Sequence, residues 1–263
     1  MRVARIWRIY KVFLTSSLVR ELEFRANFIA KILQNMVWVG WFLMVLLVIY
    51  RNTDSIAGWG RGEGFILGAT TFLLSAVHGL FFRSLMEIPE MVRKGTLDFV
   101  LTKPLDSQFW ASTRRFNFDQ IGSFIAGALM LWYGLGQYGQ SVSAVQWGAY
   151  FALFLCALVM FYSLSITMMT LSVWFVRVDN LWVLSETALD ISRYPVDIFS
   201  AGIQRVLVYY VPLAFMATIP ARQIVRGFDP WMVVLGFAWA AVAIVASRLF
   251  WIRALRSYNS ASS

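Results

Sequence analysis

Charge is what this sequence has least of. Only 14% of its 263 residues are Asp, Glu, Lys or Arg, against about 25% in an ordinary soluble domain. Soluble surfaces rely on that charge to stay dispersed, so the composition disfavours a soluble globular enzyme. Cysteine is limited to Cys156, which excludes an internal disulfide, and histidine to His78. Without paired histidines or cysteines no zinc site is expected, and no nucleophile–histidine–carboxylate set can be assembled. The phosphate-binding string Gly-x-x-x-x-Gly-Lys-Ser/Thr is missing, because Lys94-Gly95-Thr96 lacks the upstream glycine. No repeat, low-complexity tract or soluble domain stands out.

What fills the chain is apolar: 59% hydrophobic residues with a mean hydropathy of +0.65, at a formal charge of +9. In a soluble protein such a positive balance would suggest nucleic acid. Here it points to basic loops held against an anionic membrane face, with membrane lipids as partners and no nucleic acid.

The gaps between charges carry the architecture. Ile32–Tyr50, Gly64–Phe82 and Pro230–Ser247 are charge-free, and Gln120–Val176 is charge-free for 57 residues, enough for two crossings and a short turn. A helix needs about 20 apolar residues to cross the hydrocarbon core. Membrane helices are therefore expected near 30–50, 64–86, 117–136, 147–173 and 231–252. The stretch 180–226 is mixed. Leu181–Ser200 carries Glu186, Asp190, Arg193 and Asp197, and Val206–Ala221 is charge-free but interrupted by Pro212 and ended by Pro220.

Loop charge sets the orientation. Residues 1–31 hold seven basic and two acidic side chains, and residues 83–117 hold six and four. The C-terminal end adds Arg248, Arg253 and Arg256, whereas 51–63 is balanced and 134–146 has no charge. Both termini and the 83–117 loop are then cytoplasmic. That requires an even number of crossings, so 180–226 supplies one and the total is six. The N-terminus has no signal-peptide cleavage site. Its Val3, Ile6, Trp7, Tyr10, Phe13 and Leu14 fall at helical spacing among Arg2, Arg5, Arg8 and Lys11, the pattern of a helix lying in the inner interface. The polar tail 257–263 is expected to be disordered.

The longest cytoplasmic segment, Met86 to Leu105, predicts a short helix up to Lys94 with Gly95 as a left-handed cap. Leu97, Phe99 and Leu101 then alternate with Asp98 and Val100 up to Pro104. The segment is expected to project as a compact, partly apolar knob that invites a partner.

Arg93-Lys94-Gly95-Thr96-Leu97-Asp98, followed by Leu101 and Pro104, resembles the signature of the ABC-2 type permeases of the DUF990 group. Tyr194-Pro195, Phe199, Arg205, Pro212, Phe215, Pro220-Ala221 and Gly227 are similar to the stretch before the last helix of those permeases. The resemblance implies an all-α integral membrane protein of the ABC-2 transporter fold. Residues 1–256 would form one transmembrane permease domain with six transmembrane helices. Within it, 1–27 would be an interfacial connecting helix, and 86–105 a cytoplasmic coupling loop docking on a separate ATPase through Glu87, Glu90 and the motif residues. Leu181–Ser200 would be the fifth span. An external re-entrant hairpin over 201–226, marked by Pro195, Arg205, Pro212 and Pro220, would precede the last helix. Two permease chains, identical or similar, would enclose one pathway in the bacterial cytoplasmic membrane. ATP and Mg would be bound by the partner ATPase, with no cofactor in this chain.

Several residues keep two readings. Glu186, Asp190, Arg193 and Asp197, at spacings of four, three and four, share one face of a continuous helix. They either line a pathway or dimer seam, form an intrahelical ion-pair ladder, or emerge into the interface. His78 is either a proton or substrate contact or a neutral imidazole hydrogen-bonded to a neighbouring helix carbonyl. Trp38, Trp41, Trp132, Trp147, Trp231 and Trp251 fit interfacial belts. Asp119 is expected at the inner interface beside Arg114 and Arg115. The leading expectation is the permease half of an ABC exporter; a lipid-modifying membrane enzyme and a non-transporting scaffold are its rivals.

Overall fold

The structure is a computed structural model that describes residues 2–175 and 181–258, with side chains from Trp7 onward. Sequence expectations for the side chains of Arg2, Val3, Arg5 and Ile6, and for the tail beyond Tyr258, lie outside the described residues.

Among the described residues, four helical runs are long and apolar enough to cross a membrane: Arg25–Asn52, Arg61–Arg93, Ala144–Val173 and Pro230–Ser257. The chain opens with α1 (Arg2–Glu23), breaks at Phe24, and continues as α2 (Arg25–Asn52). A two-residue hairpin, β1 (Ser55–Ile56) against β2 (Trp59–Gly60), leads into α3 (Arg61–Phe82). The knob follows as a 3-10 turn (Arg83–Glu87) with three short helices, α4 (Ile88–Arg93), α5 (Asp98–Leu101) and α6 (Ser107–Thr113). Next come α7 (Ile121–Tyr138) and α8 (Ala144–Thr170). The remainder is α9 (Leu181–Ile191), α10 (Ala201–Tyr209), α11 (Thr218–Val225) and α12 (Pro230–Ser257).

The helix ends follow local chemistry. Ser143 and Gln146 exchange hydrogen bonds at the start of α8, satisfying two amides that helix geometry leaves open. Asp229 accepts from the amides of Trp231 and Met232, and Pro230 supplies a first helical residue with no amide to satisfy. Gly139 ends α7 in the left-handed conformation.

α3 is the central helix. Buried residues make up 67% of its apolar window, against 11% for α2 and 17% for α12, which face outward. α7 packs along α3 and α2 at backbone contact distance. A β-carbon on Gly62 would lie 2.4 Å from the Tyr138 nitrogen, and one on Gly122 would lie 2.3 Å from the Ile32 carbonyl oxygen. Small residues let membrane helices approach this closely, where apolar burial supplies no bias between helices. α12 lies along α8, and Gly236 admits the Leu153 side chain.

The structure corrects the expected helix for Leu181–Ser200. α9 stops at Ile191, and Pro195 opens a separate 3-10 turn over Val196–Ile198. Eleven residues rise only about 16 Å. The segment 201–226 is two short helices joined through Tyr210–Ala217, and the joint reaches far down the bundle. Leu213 and Met216 pack with Leu74, Ala157 and Phe161 from the middle of α3 and α8, and with Leu189 near the end of α9. α7, with 18 charge-free residues, falls where the third span was expected. α12 runs through Ser257, so Ser257 belongs to the helix and not to the tail expected to begin there.

Candidate functional site: the knob after α3 and a polar stripe

α4 is a short helix because Pro89 suits its first turn and Gly95, at φ 69°, lets the chain leave it. The Gly95 amide donates to the Val92 carbonyl, and the Leu97 amide to the Met91 carbonyl. Beyond Gly95 the expected alternation gives way to the helical turn α5, so the buried partners are Leu97 and Val100, three apart, rather than Leu97, Phe99 and Leu101. Leu97 is 0% exposed and Phe99 is 70% exposed. Leu97, Val100, Ile88, Met91 and Val92 share one core with Ile166 and Met169 at the end of α8, Leu181 of α9 and Trp251 of α12. The knob is therefore welded to three helices besides the two that flank it.

α6 adds polar staples. Asp106 caps α6 through the Phe109 amide at 2.9 Å and forms an ion pair with Arg248 of α12. Arg248 also donates to Gln108 at 3.0 Å, Gln108 donates to the Tyr162 hydroxyl at 3.1 Å, and Tyr162 shares a hydrogen bond with Ser112 at 2.9 Å. Trp251 donates from its indole to Ser107 at 3.1 Å. This overturns the belt reading for Trp251, which is fully buried; Trp132 and Trp231 remain exposed. Trp38 and Trp41 are also exposed, but α2 starts early enough to put them near its middle.

Glu87, expected on the docking face, turns inward and pairs with both Arg114 and Arg115. Burial lowers the pKa of the Arg114 guanidinium, and Glu87 works against that shift. On the outward surface Glu90 pairs with Lys94 at 2.6 Å. A hydrogen bond from Lys94, aided by its charge, holds the Glu90 carboxyl below its ordinary range. Arg93, Lys94, Thr96, Phe99, Leu101 and Pro104 are exposed together on this surface, and Asp98 is half-buried. Asp119 pairs with Lys31 of α2 at 4.0 Å and lines the same cavity as Arg115.

The polar stripe is split. Asp190 and Arg193 pair at 2.7 Å, and the Arg193 guanidinium lies 5.3 Å over the Phe72 ring of α3. Asp197 does not continue the face and does not pair with Arg193, because the chain turns at Pro195. Asp197 accepts instead from the Trp59 indole at 2.7 Å and pairs with Arg222 of α11 at 2.5 Å. Arg226, one turn on, pairs with Glu63 at 3.0 Å and donates to the Gly58 carbonyl at 2.6 Å. Sequence reasoning missed Trp59, Arg222 and Arg226, since nothing in their spacing announces partners 25, 138 or 163 residues away on other elements. Among the described residues His78 makes no bond to a helix carbonyl and neither of its nitrogens has a partner; its ring packs 4.1 Å from Phe161, with Phe82 and Trp182 beside it.

The architecture of long apolar helices carrying a compact knob meets a decisive comparison: the family model for ABC-2 family transporter protein matches residues 36–262. The chain belongs to the ABC-2 family. It is a multi-pass membrane protein and a permease of an ABC transporter, a family that works with ABC ATPase subunits in general. No curated protein matches the chain. Arg205, Pro212 and Pro220, noted for their resemblance to such permeases, fall on α10, on the joint and on α11 of this ABC-2 chain.

Proposed function

We propose that this chain is the membrane half of an ABC exporter in a bacterial cytoplasmic membrane. Two copies, or one copy and a similar chain, enclose a pathway that separate ATPase subunits drive. Those subunits bind ATP and Mg; this chain contributes no cofactor or metal site. It crosses six times, with α9 and the turn after it as the fifth crossing, and both termini are cytoplasmic. The segment 201–226 enters from outside and returns.

One observation carries the coupling. The knob exposes Phe99 beside Arg93, Lys94 and Thr96, while its underside shares a core with α8, α9 and α12. A partner gripping that surface moves five helices together. Nucleotide-dependent contacts at the knob then bias the pathway between inward and outward access, because a ligand shifts an equilibrium only by its differential contacts. Glu186, Asp190 and Arg193 face the pathway or the seam between chains. In support, Asp190 is half exposed on α9, and a charge within a crossing is costly unless protein or water covers it. Asp197 instead belongs to an outer clamp, and His78 to packing.

The test is co-purification of the ATPase and ATP hydrolysis with Phe99→Glu. Loss of both in a folded permease is expected; retention of both overturns the docking surface. Sidedness is read separately on a Cys156→Ser background with an impermeant maleimide. Ser257→Cys should be protected in intact cells and Ser141→Cys labelled, and the reverse pattern ends the topology.

A further inference from the structure

Where α1, α2, the turn after α3 and the segment before α7 meet, they line an open cavity of about 330 Å³. Its wall carries four cations, Arg20, Lys31, Arg83 and Arg115. Three carboxylates share the wall, but two are already engaged: Glu87 by Arg114 and Arg115, Asp119 by Lys31 and by the Gln120 side-chain amide at 3.2 Å. Glu21 is the third. Arg20 and Arg83 have no ion-pair partner among the described residues and are exposed. Two guanidiniums thus face one cavity without an ion pair, Arg83 feeling only the longer-range charge of Glu186.

The surroundings are those of a headgroup site. Met86 and Phe116 give the cavity an apolar side. Phe116 is held in place by its amide hydrogen bond to Ser17 of α1 at 3.1 Å and by edge contact with Tyr10 at 5.1 Å. α1 carries Trp7, Val12, Val19 and Leu22 exposed, an apolar stripe that none of the described residues covers. Arginine forks match phosphate oxygens two at a time, and basic pockets between membrane helices on the cytoplasmic side take anionic lipid headgroups.

We propose that this cavity binds the phosphate of an anionic phospholipid of the inner leaflet, gripped by Arg20 and Arg83, with the acyl chains along the α1–α2 surface. The site fastens α1 to the base of α3, so lipid composition tunes how firmly the interfacial helix is tied to the knob. The inner-leaflet assignment rests on the proposed topology; the binding itself does not.

The experiment is mass-resolved lipid binding to the purified full chain in detergent, using phosphatidylglycerol against phosphatidylcholine of equal chain length. Wild type should retain phosphatidylglycerol selectively. Arg20→Gln with Arg83→Gln should weaken that binding by roughly thirtyfold, the effect of two lost cations. Arg253→Gln, which removes a cation elsewhere on the basic side, should leave it within about twofold of wild type. Equal loss in Arg253→Gln, or no loss in the double variant, overturns the site. Displacement of the lipid by millimolar inorganic phosphate would assign the cavity to a soluble anion and overturn the lipid. Binding in detergent has no sidedness, so this result stands or falls apart from the maleimide labelling that tests the topology.

Discussion

The Trp59 indole donates to the Asp197 carboxylate at 2.7 Å across 138 residues of chain, and Arg222 completes the pair from α11 at 2.5 Å. The hairpin before α3, the turn after α9 and the last short helix are thereby joined at one point, over a cavity of about 550 Å³. Asp197→Ala removes the acceptor of both bonds and leaves a part-buried guanidinium. It is expected to lower stability by about 1–3 kcal/mol, read as a drop in melting temperature in detergent. An unchanged melting temperature would exclude a clamp.

Gly122→Ala and Gly136→Ala make the same change on α7 with opposite expectations. The first drives a methyl into the Ile32 carbonyl, while nothing lies within 4 Å of the second. Overpacking costs about 1–3 kcal/mol, whereas replacing an unneeded helical glycine stabilises by up to about 1 kcal/mol. Equal melting temperatures for the two variants would contradict the α2–α7 approach.

In the knob, Leu97→Ala and Phe99→Ala separate folding from docking. Leu97 is fully buried, so its truncation should destabilise by about 2–5 kcal/mol. Phe99 is 70% exposed and should change stability by no more than about 0.5 kcal/mol, while lowering ATPase stimulation. If Phe99→Ala unfolds the chain, the knob is packed differently.

Asp106 and Arg248 predict an acid-sensitive staple. Burial pushes the Asp106 carboxyl up, but hydrogen bonds from Arg248 and from the Phe109 amide outweigh it, leaving the carboxyl below its ordinary range. Its stabilisation is present above the unfolded carboxylate value, about 4, and is lost as pH falls through the folded value. Wild type should lose melting temperature over that acid window, and Asp106→Asn should show a shallower decline. Identical profiles would remove the staple.

His78→Phe should be tolerated within about 1.5 kcal/mol, since an imidazole among three aromatic rings with no hydrogen-bond partner is already used as packing. A loss of transport in a folded, stable variant would return His78 to the pathway.

The sequence by itself determined the helical membrane architecture, because apolar runs free of charge have one low-energy use in a bilayer and backbone amides there must be satisfied within a helix. α2, α3, α8 and α12 each cover an apolar run expected to cross, though α2 begins at Arg25, before its charge-free run, and α12 continues to Ser257, past its own, and Gly95 terminates α4 in the conformation its position suggested. The family match over 36–262 agrees with motifs readable in the chain. Tertiary structure alone decided which charges pair. Helical spacing grouped Asp197 with Arg193, but Pro195 turns the chain and hands Asp197 to Trp59 and Arg222. Charge counting saw Arg248 as a membrane-end cation, where folding makes it the partner of Asp106. Periodicity reports which face of an element is apolar. It holds no record of which distant element arrives at that face, and long-range pairing is what builds the knob, the clamp and the basic cavity.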